Sequence, residues 1–196
     1  ARCTACFEHW TARLLQTMSN NEQAVYTTNA EDQAEAAKLQ ERLSNSTQTT
    51  TSETKTAPSP SPAWLDLPSV SIDAGSHKYV LISAMEPTTT PRTTTTTTTT
   101  PDECTQQQRY FVVSKRGAHY HRNVAAPFVD MLEEHGFHDI RIKGGGRISL
   151  DHNTKKVFIF GYSYGFGRAD HAKAKEVVDL DHRFSGYNVT WSNDGY

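Results

Sequence analysis

The sequence predicts an α+β fold: a mixed, roughly six-stranded sheet flanked by two helices, behind a disordered or weakly helical N-terminal arm. Three observations lead there. Past Trp64 the chain carries six short runs rich in Val, Ile, Phe and Tyr, bounded by Gly, Asp and Asn. Two longer stretches, 123–135 and 169–180, repeat apolar residues at helical spacing instead. Together these elements occupy enough chain for one compact core.

Chain-wide quantities narrow the function classes. The 196 residues carry a net charge of -2, which supplies no basic field for nucleic acid. No apolar run approaches the ~20 residues of a membrane span. Three cysteines, Cys3, Cys6 and Cys104, are an odd number and avoid the best-patterned half. That argues against a disulfide scaffold and for a cytoplasmic protein. Cys3-x-x-Cys6 with His9 could be half of a zinc site, but a second ligand pair at suitable spacing is missing, so two reduced thiols are the plainer reading.

Residues 1–43 read as a weakly helical arm. Trp10, Leu14, Leu15 and Met18 fall at helical spacing, as do Ala34, Ala37 and Leu43. Glu31 to Arg42 is rich in helix-favouring Ala, Glu, Lys and Gln. The apolar stripe is thin, so the arm is expected to be marginal and to become helical on a partner. Residues 44–63, mostly Ser, Thr, Pro and Gln, cannot offset their ordering entropy and are expected to be a disordered linker.

The folded domain is expected at 64–196. Leu65, Leu67, Val70 and Ile72 alternate before a turn at Asp73-Ala74-Gly75, and Lys78 to Ile82 is a strong strand. A threonine-rich insertion at 88–103, including eight consecutive threonines, cannot specify packing and reads as a surface excursion. Arg109 to Ser114 is the next strand. The helix that follows turns Val124, Phe128, Met131 and Leu132 inward and ends at Gly136. Asn123 is its expected N-cap, and Pro127 suggests a late start to the regular helix. Strands are expected at 137–143, 147–150 and 156–161, with a turn at Asp151-His152-Asn153. A second helix, Ala169 to Leu180, points Ala172, Val177 and Leu180 inward, and Tyr187 to Ser192 is the last strand.

The chemistry-bearing residues fall between Lys78 and Gly165. His121 sits at a strand-to-helix junction, where backbone N–H groups favour anions, and an imidazole there can take a proton or attack phosphorus. Among nine histidines, a capping or surface role is the ordinary explanation for any one alone. His119 and His121 would share a strand face, so a metal pair is conceivable, but no third ligand accompanies them. Gly144, Gly145 and Gly146 read as a turn that lets backbone N–H groups converge, and Arg147 adds a planar fork for phosphate oxygens. A plain β-turn or bulge with a solvated arginine explains that stretch equally well. Ser163, Tyr164 and Gly165 form a second glycine-bounded turn, and Lys78 is by default a solvated edge lysine.

Singly these signals are weak, but their ordered set is specific. Pro68-x-Val70-x-Ile72-Asp73, Lys78-Tyr79-Val80-Leu81-Ile82, Tyr120-His121, Gly144-Gly145-Gly146-Arg147-Ile148, Gly161-Tyr162-Ser163 and Trp191-x-Asn193-Asp194-Gly195-Tyr196 resemble the phosphohistidine phosphatases of the Janus/ocnus family. The resemblance spans about residues 66–196, less the threonine insertion. It implies hydrolysis of the P–N bond of phosphohistidine in proteins, and in some members phospholysine, with no metal and no cofactor. It implies His121 as catalytic base or nucleophile. It matches Lys78 and Arg147, together with Ser163, Tyr164 and Gly165, to the substrate-binding residues. The implied partner is a phosphohistidine-bearing protein substrate, met by a monomer without nucleic acid or membrane. Tyr164-Gly165 departs from the small or sulfur-bearing residues usual in that turn. A non-catalytic phospho-ligand adaptor of the same fold is the alternative. Phosphate release set beside binding separates the two.

Overall fold

The computed structural model describes residues 29–46, 65–87 and 107–194. Most of the expected linker, the whole threonine insertion, the first part of the arm with Trp10, Leu14, Leu15 and Met18, all three cysteines with His9, and Gly195-Tyr196 lie outside the described residues. Within them, three helices and six strands form an α+β structure. Helix α1 is Asn29–Ser46, α2 is His121–Glu134 and α3 is His171–Leu180. The strands are β1 Val70–Ser71, β2 Gly75–Met85, β3 Gln108–Ser114, β4 His138–Asp151, β5 Lys156–Phe160 and β6 Asn188–Trp191. Among the described residues no helix is long and apolar enough to cross a membrane.

The sheet order is β1-β3-β2-β4-β5-β6. The outer pairs β1/β3 and β5/β6 are parallel, and the three inner pairs antiparallel. Period-two alternation makes two cores. Val80, Ile82, Phe111, Val113 and Ile142 face one way, onto Val124, Phe128, Val129 and Leu132 of α2. Tyr79, Leu81, Val112, Ile148, Val157 and Ile159 face the other, onto Ala174, Val177 and Val178 of α3. Each helix thus covers one face of a sheet buried on both sides.

Several local expectations need correction. Gly144, Gly145 and Gly146 do not make a turn between two strands: β4 runs straight through them. The register slips there, Leu81 pairing with Gly144 and Ile82 with Ile142, so Lys143 is bulged out. Three consecutive glycines look like a turn locally, but here they are dictated by close neighbours. A Cβ on Gly144 would lie 2.6 Å from the Ala169 nitrogen, and one on Gly146 would lie 2.5 Å from the Phe160 carbonyl oxygen. Helix α2 begins at His121, with Pro127 inside it, and is capped by Tyr120 rather than Asn123. Tyr120 is extended and caps without a side-chain hydrogen bond, so the sequence carries no capping signal at that end. In α3, Asp170 accepts from the Lys173 N–H at 3.0 Å and starts the helix later than expected. The inward face becomes His171, Ala174, Val177 and Val178, while Ala172 is exposed and Leu180 is 78% exposed.

The arm holds the third helix. α1 reaches Ser46, past the expected linker boundary, and Ser44 Oγ returns a hydrogen bond to the Gln40 carbonyl at 2.9 Å. It docks on the domain itself, burying Asp32, Ala36 and Leu43 with Leu39 half-buried, whereas Ala34 and Ala37 face out. The stripe was hidden in the sequence because one of its members is an aspartate. Arg42 bonds Asp130 of α2 at 2.8 Å, and Arg122 reaches back to Asp32 and Glu35 at 3.5 and 3.3 Å.

Candidate active site

His121 is the first residue of α2, yet it is 3% exposed. The helix start brings its ring down on β4 beside Gly145, where a Cβ would come within 2.8 Å of the ring's Cδ2. Glycine at that position is what lets the imidazole approach the sheet. Its Nε2 lies 2.9 Å from the Gly146 carbonyl oxygen. A carbonyl only accepts, so Nε2 carries the proton and Nδ1 keeps the lone pair. Burial pushes the His121 pKa down to about 4, the Gly146 hydrogen bond opposes this, and Lys78 and Arg147 add to it. Near neutral pH the ring is therefore uncharged, with one nitrogen able to accept a proton or a phosphoryl group.

Lys78 and Arg147 stand directly opposite each other on β2 and β4. Cross-strand partners share a face. Lys78 continues the row Val80–Ile82 past the start of α2, so both cations lie on the His121 side of the sheet. Burial lowers the Lys78 pKa and the Arg147 charge lowers it further, while Asp32 raises it. On the next strand Arg147 faces Phe160, which stacks on Phe158 at 5.0 Å. The two cations are thus bordered by aromatic surface, and Phe158 is 40% exposed.

The Ser163 turn closes the flank. Ser163 and Gly167 exchange backbone hydrogen bonds of 3.1 and 2.9 Å, and Ser163 Oγ accepts from the Phe166 N–H at 3.1 Å. The serine is buried and its hydroxyl oxygen holds the turn's shape. A further bond ties the turn to β4, from Gly145 N–H to Gly167 O at 3.0 Å. Hence the Gly145 amide is spent within the fold rather than turned towards a ligand. Tyr164 is half exposed and meets Tyr162 edge-on at 5.1 Å. Gly165 lies under α1, where a Cβ would meet that of Ala36 at 2.7 Å.

His121, Lys78, Arg147 and the Ser163 turn therefore gather at one end of α2, from separated parts of the chain. His119 does not join them: it is exposed in the turn before α2, not on a strand face shared with His121. Sequence reasoning missed two neighbours. His171 is buried behind Gly146, whose Cβ would lie 3.1 Å from its ring. Its Nε2–H donates to the Gly161 carbonyl at 2.9 Å, so its Nδ1 accepts the Tyr79 hydroxyl at 2.6 Å. Burial keeps this imidazole below its usual pKa and Tyr79 above its own. The pair fixes the far side of β4, and its only signal in the sequence was a histidine at a helix start. Asp32 is the other, and nothing in its own sequence context distinguishes it.

Comparison with known proteins identifies the family. Residues 64–188 match the Janus/Ocnus family (Ocnus). The 14 kDa phosphohistidine phosphatase of Sus scrofa is 34% identical over 133 residues, covering 66% of this chain and 93% of that protein. The Homo sapiens protein of the same name is 32% identical over 131 residues, covering 66% and 94%. The sex-regulated protein janus-A of Drosophila melanogaster is 44% identical over 53 residues, 27% of this chain and 38% of that one. The chain belongs to the Janus/Ocnus family.

Proposed function

We propose that this protein is a phosphohistidine phosphatase that releases inorganic phosphate from phosphohistidine in proteins. The observation that carries the reading is a buried, uncharged His121 whose Nδ1 is left open beside Lys78 and Arg147. The likeness to relatives bearing that name supports it.

The phosphoryl group lies against Lys78 and Arg147, which neutralise its charge in a loose transition state. Gly145 and Gly146 seat His121, and Tyr164 and Gly165 border the residues that flank the phosphohistidine. The P–N bond breaks as the leaving imidazole takes up a proton, and a water oxygen forms the new P–O bond. His121 Nδ1 either takes the water's proton and passes it to the leaving nitrogen, or takes the phosphoryl group and surrenders it to water in a second step. Both routes return a neutral His121 and yield histidine and inorganic phosphate. An acid-sensitive phospho-His121 trapped by rapid quenching selects the second. A bound phosphoryl dianion offsets Lys78 and Arg147, so the base strength of His121 rises when substrate arrives.

Because a protonated imidazole leaves readily and the protein supplies two cations, the reaction is proposed to need no metal. An odd cysteine number fits a cytoplasmic setting. The test is phosphate release from a phosphohistidine peptide in the presence of a chelator, beside a phosphoserine peptide. Release from the first, with the second hydrolysed far more slowly, is expected. No release from the phosphohistidine peptide, with or without added metal, rejects the proposal.

A further inference from the structure

Helix α1 precedes residues 64–188, which match the family, yet it packs onto the candidate site. It presses on the Ser163 turn so closely that Gly165 has no room for a methyl group against Ala36. One turn earlier on the same stripe, Asp32 is 6% exposed, and its Oδ2 lies 3.8 Å from the Cβ that Gly165 lacks. Its Oδ1 is buried with no hydrogen bond and lies 3.5 Å from Arg122 Nε. Burial pushes the Asp32 pKa up, and Arg122 and then Lys78 pull against it in favour of the ionised carboxyl. A buried carboxylate with an unsatisfied oxygen is costly unless the surroundings are built to receive an anion. The surroundings here include Lys78, which the proposed function assigns to the phosphoryl group.

We propose that α1 is an intramolecular competitor of the substrate. Docked, it covers the Gly165 side of the pocket and sets the Asp32 carboxylate where the anionic group of a phosphoprotein is received. This rests on the phosphatase reading of the same site. A phosphoprotein enters by displacing the helix, and anything that captures α1 raises activity.

The docking is suited to displacement. It fully buries two apolar side chains, Ala36 and Leu43, with Leu39 half-buried beside them, and adds ion pairs to Asp130, Glu133 and Arg122 that salt weakens. An occupant that holds the pocket closed for most molecules reduces apparent affinity by the fraction left open.

The full chain serves as the test, as wild type, Asp32→Asn and Ala36→Arg. Asp32→Asn removes the competing charge, and Ala36→Arg puts a long side chain where Gly165 leaves no room. Three quantities are read: KM and kcat for a phosphohistidine peptide, inorganic phosphate affinity by titration calorimetry, and hydrogen exchange of the α1 amides. Both variants are expected to lower KM and tighten phosphate binding by about fivefold to tenfold, with kcat little changed. In the wild type, saturating phosphate is expected to speed exchange across α1. The inference is overturned if phosphate leaves α1 exchange unchanged and neither variant moves phosphate affinity beyond about twofold. It is overturned equally if releasing α1 weakens phosphate binding, which would make the helix part of the platform. Absence of peptide hydrolysis in all three proteins removes the phosphatase reading, while the titration and exchange still decide the competition.

Discussion

Acidification is expected to destabilise the fold through His121 by an amount the structure specifies. In the unfolded chain this imidazole titrates near its ordinary value of ~6.5. In the folded protein its pKa is about 4, mainly through burial. A depressed folded value means that the unfolded state binds the proton first. The stabilisation is fully present above about pH 6.5 and is lost as the pH falls through about 4. Near pH 4.5 the unfolded imidazole is almost entirely protonated and the folded one only about a quarter so, a difference of roughly 2 kcal/mol. Urea unfolding of wild type and His121→Gln, near pH 7 and near pH 4.5, isolates this quantity. The glutamine amide can still donate to the Gly146 carbonyl but cannot titrate in this range. His171, also held low by burial, and the carboxylates change in both proteins and cancel. The wild type should lose roughly 2 kcal/mol more than the variant on acidification. Equal losses, within about 0.5 kcal/mol, would show that the imidazole is not held neutral by its site.

Other perturbations probe the same construction. Gly145→Ala drives a methyl group to 2.8 Å from both the His121 ring and the Tyr79 carbonyl. It should cost about 1–3 kcal/mol in thermal or urea unfolding and lower kcat, because the backbone oxygen cannot yield and the ring must. Tyr79→Phe strands the buried His171 Nδ1 and should cost about 1–3 kcal/mol, measurable in the same way, with a smaller effect on turnover. The alkaline limb of the kcat/KM profile should fall below the ordinary lysine range, because burial and Arg147 depress Lys78 and activity is lost as it deprotonates. In Lys78→Met that limb should vanish along with most of the activity. A limb that persists unchanged would assign it elsewhere.

Much of this molecule could be read from residue order, and the exceptions share a cause. Strands β2 and β3 were legible as unbroken apolar runs, Tyr79 to Ile82 and Tyr110 to Val113, and strand geometry then sends Val80 and Ile82 to one layer and Tyr79 and Leu81 to the other. Local signals failed where a distant segment decides the outcome. Gly144 to Gly146 look like a turn until Ala169, His121 and the Phe160 carbonyl are seen crowding them. Asn123 and Pro127 look like a helix start, yet the helix begins where Tyr120 is held extended and His121 is drawn onto β4. Periodicity in the arm pointed to Ala34 and Ala37, because an aspartate was not counted among the groups to be buried. His121, Lys78, Arg147 and the Ser163 turn were recognisable as an ordered set. Their convergence, and the choice of Nδ1 as the open nitrogen, required the fold.

The most direct test of the central claim is the rate of phosphate release from a phosphohistidine peptide by wild type and by His121→Ala, with the variant's fold checked by circular dichroism. Activity in the wild type and a fall of at least about a thousandfold in a folded variant is the predicted result. A folded His121→Ala protein that keeps its rate within about tenfold of wild type would contradict the account.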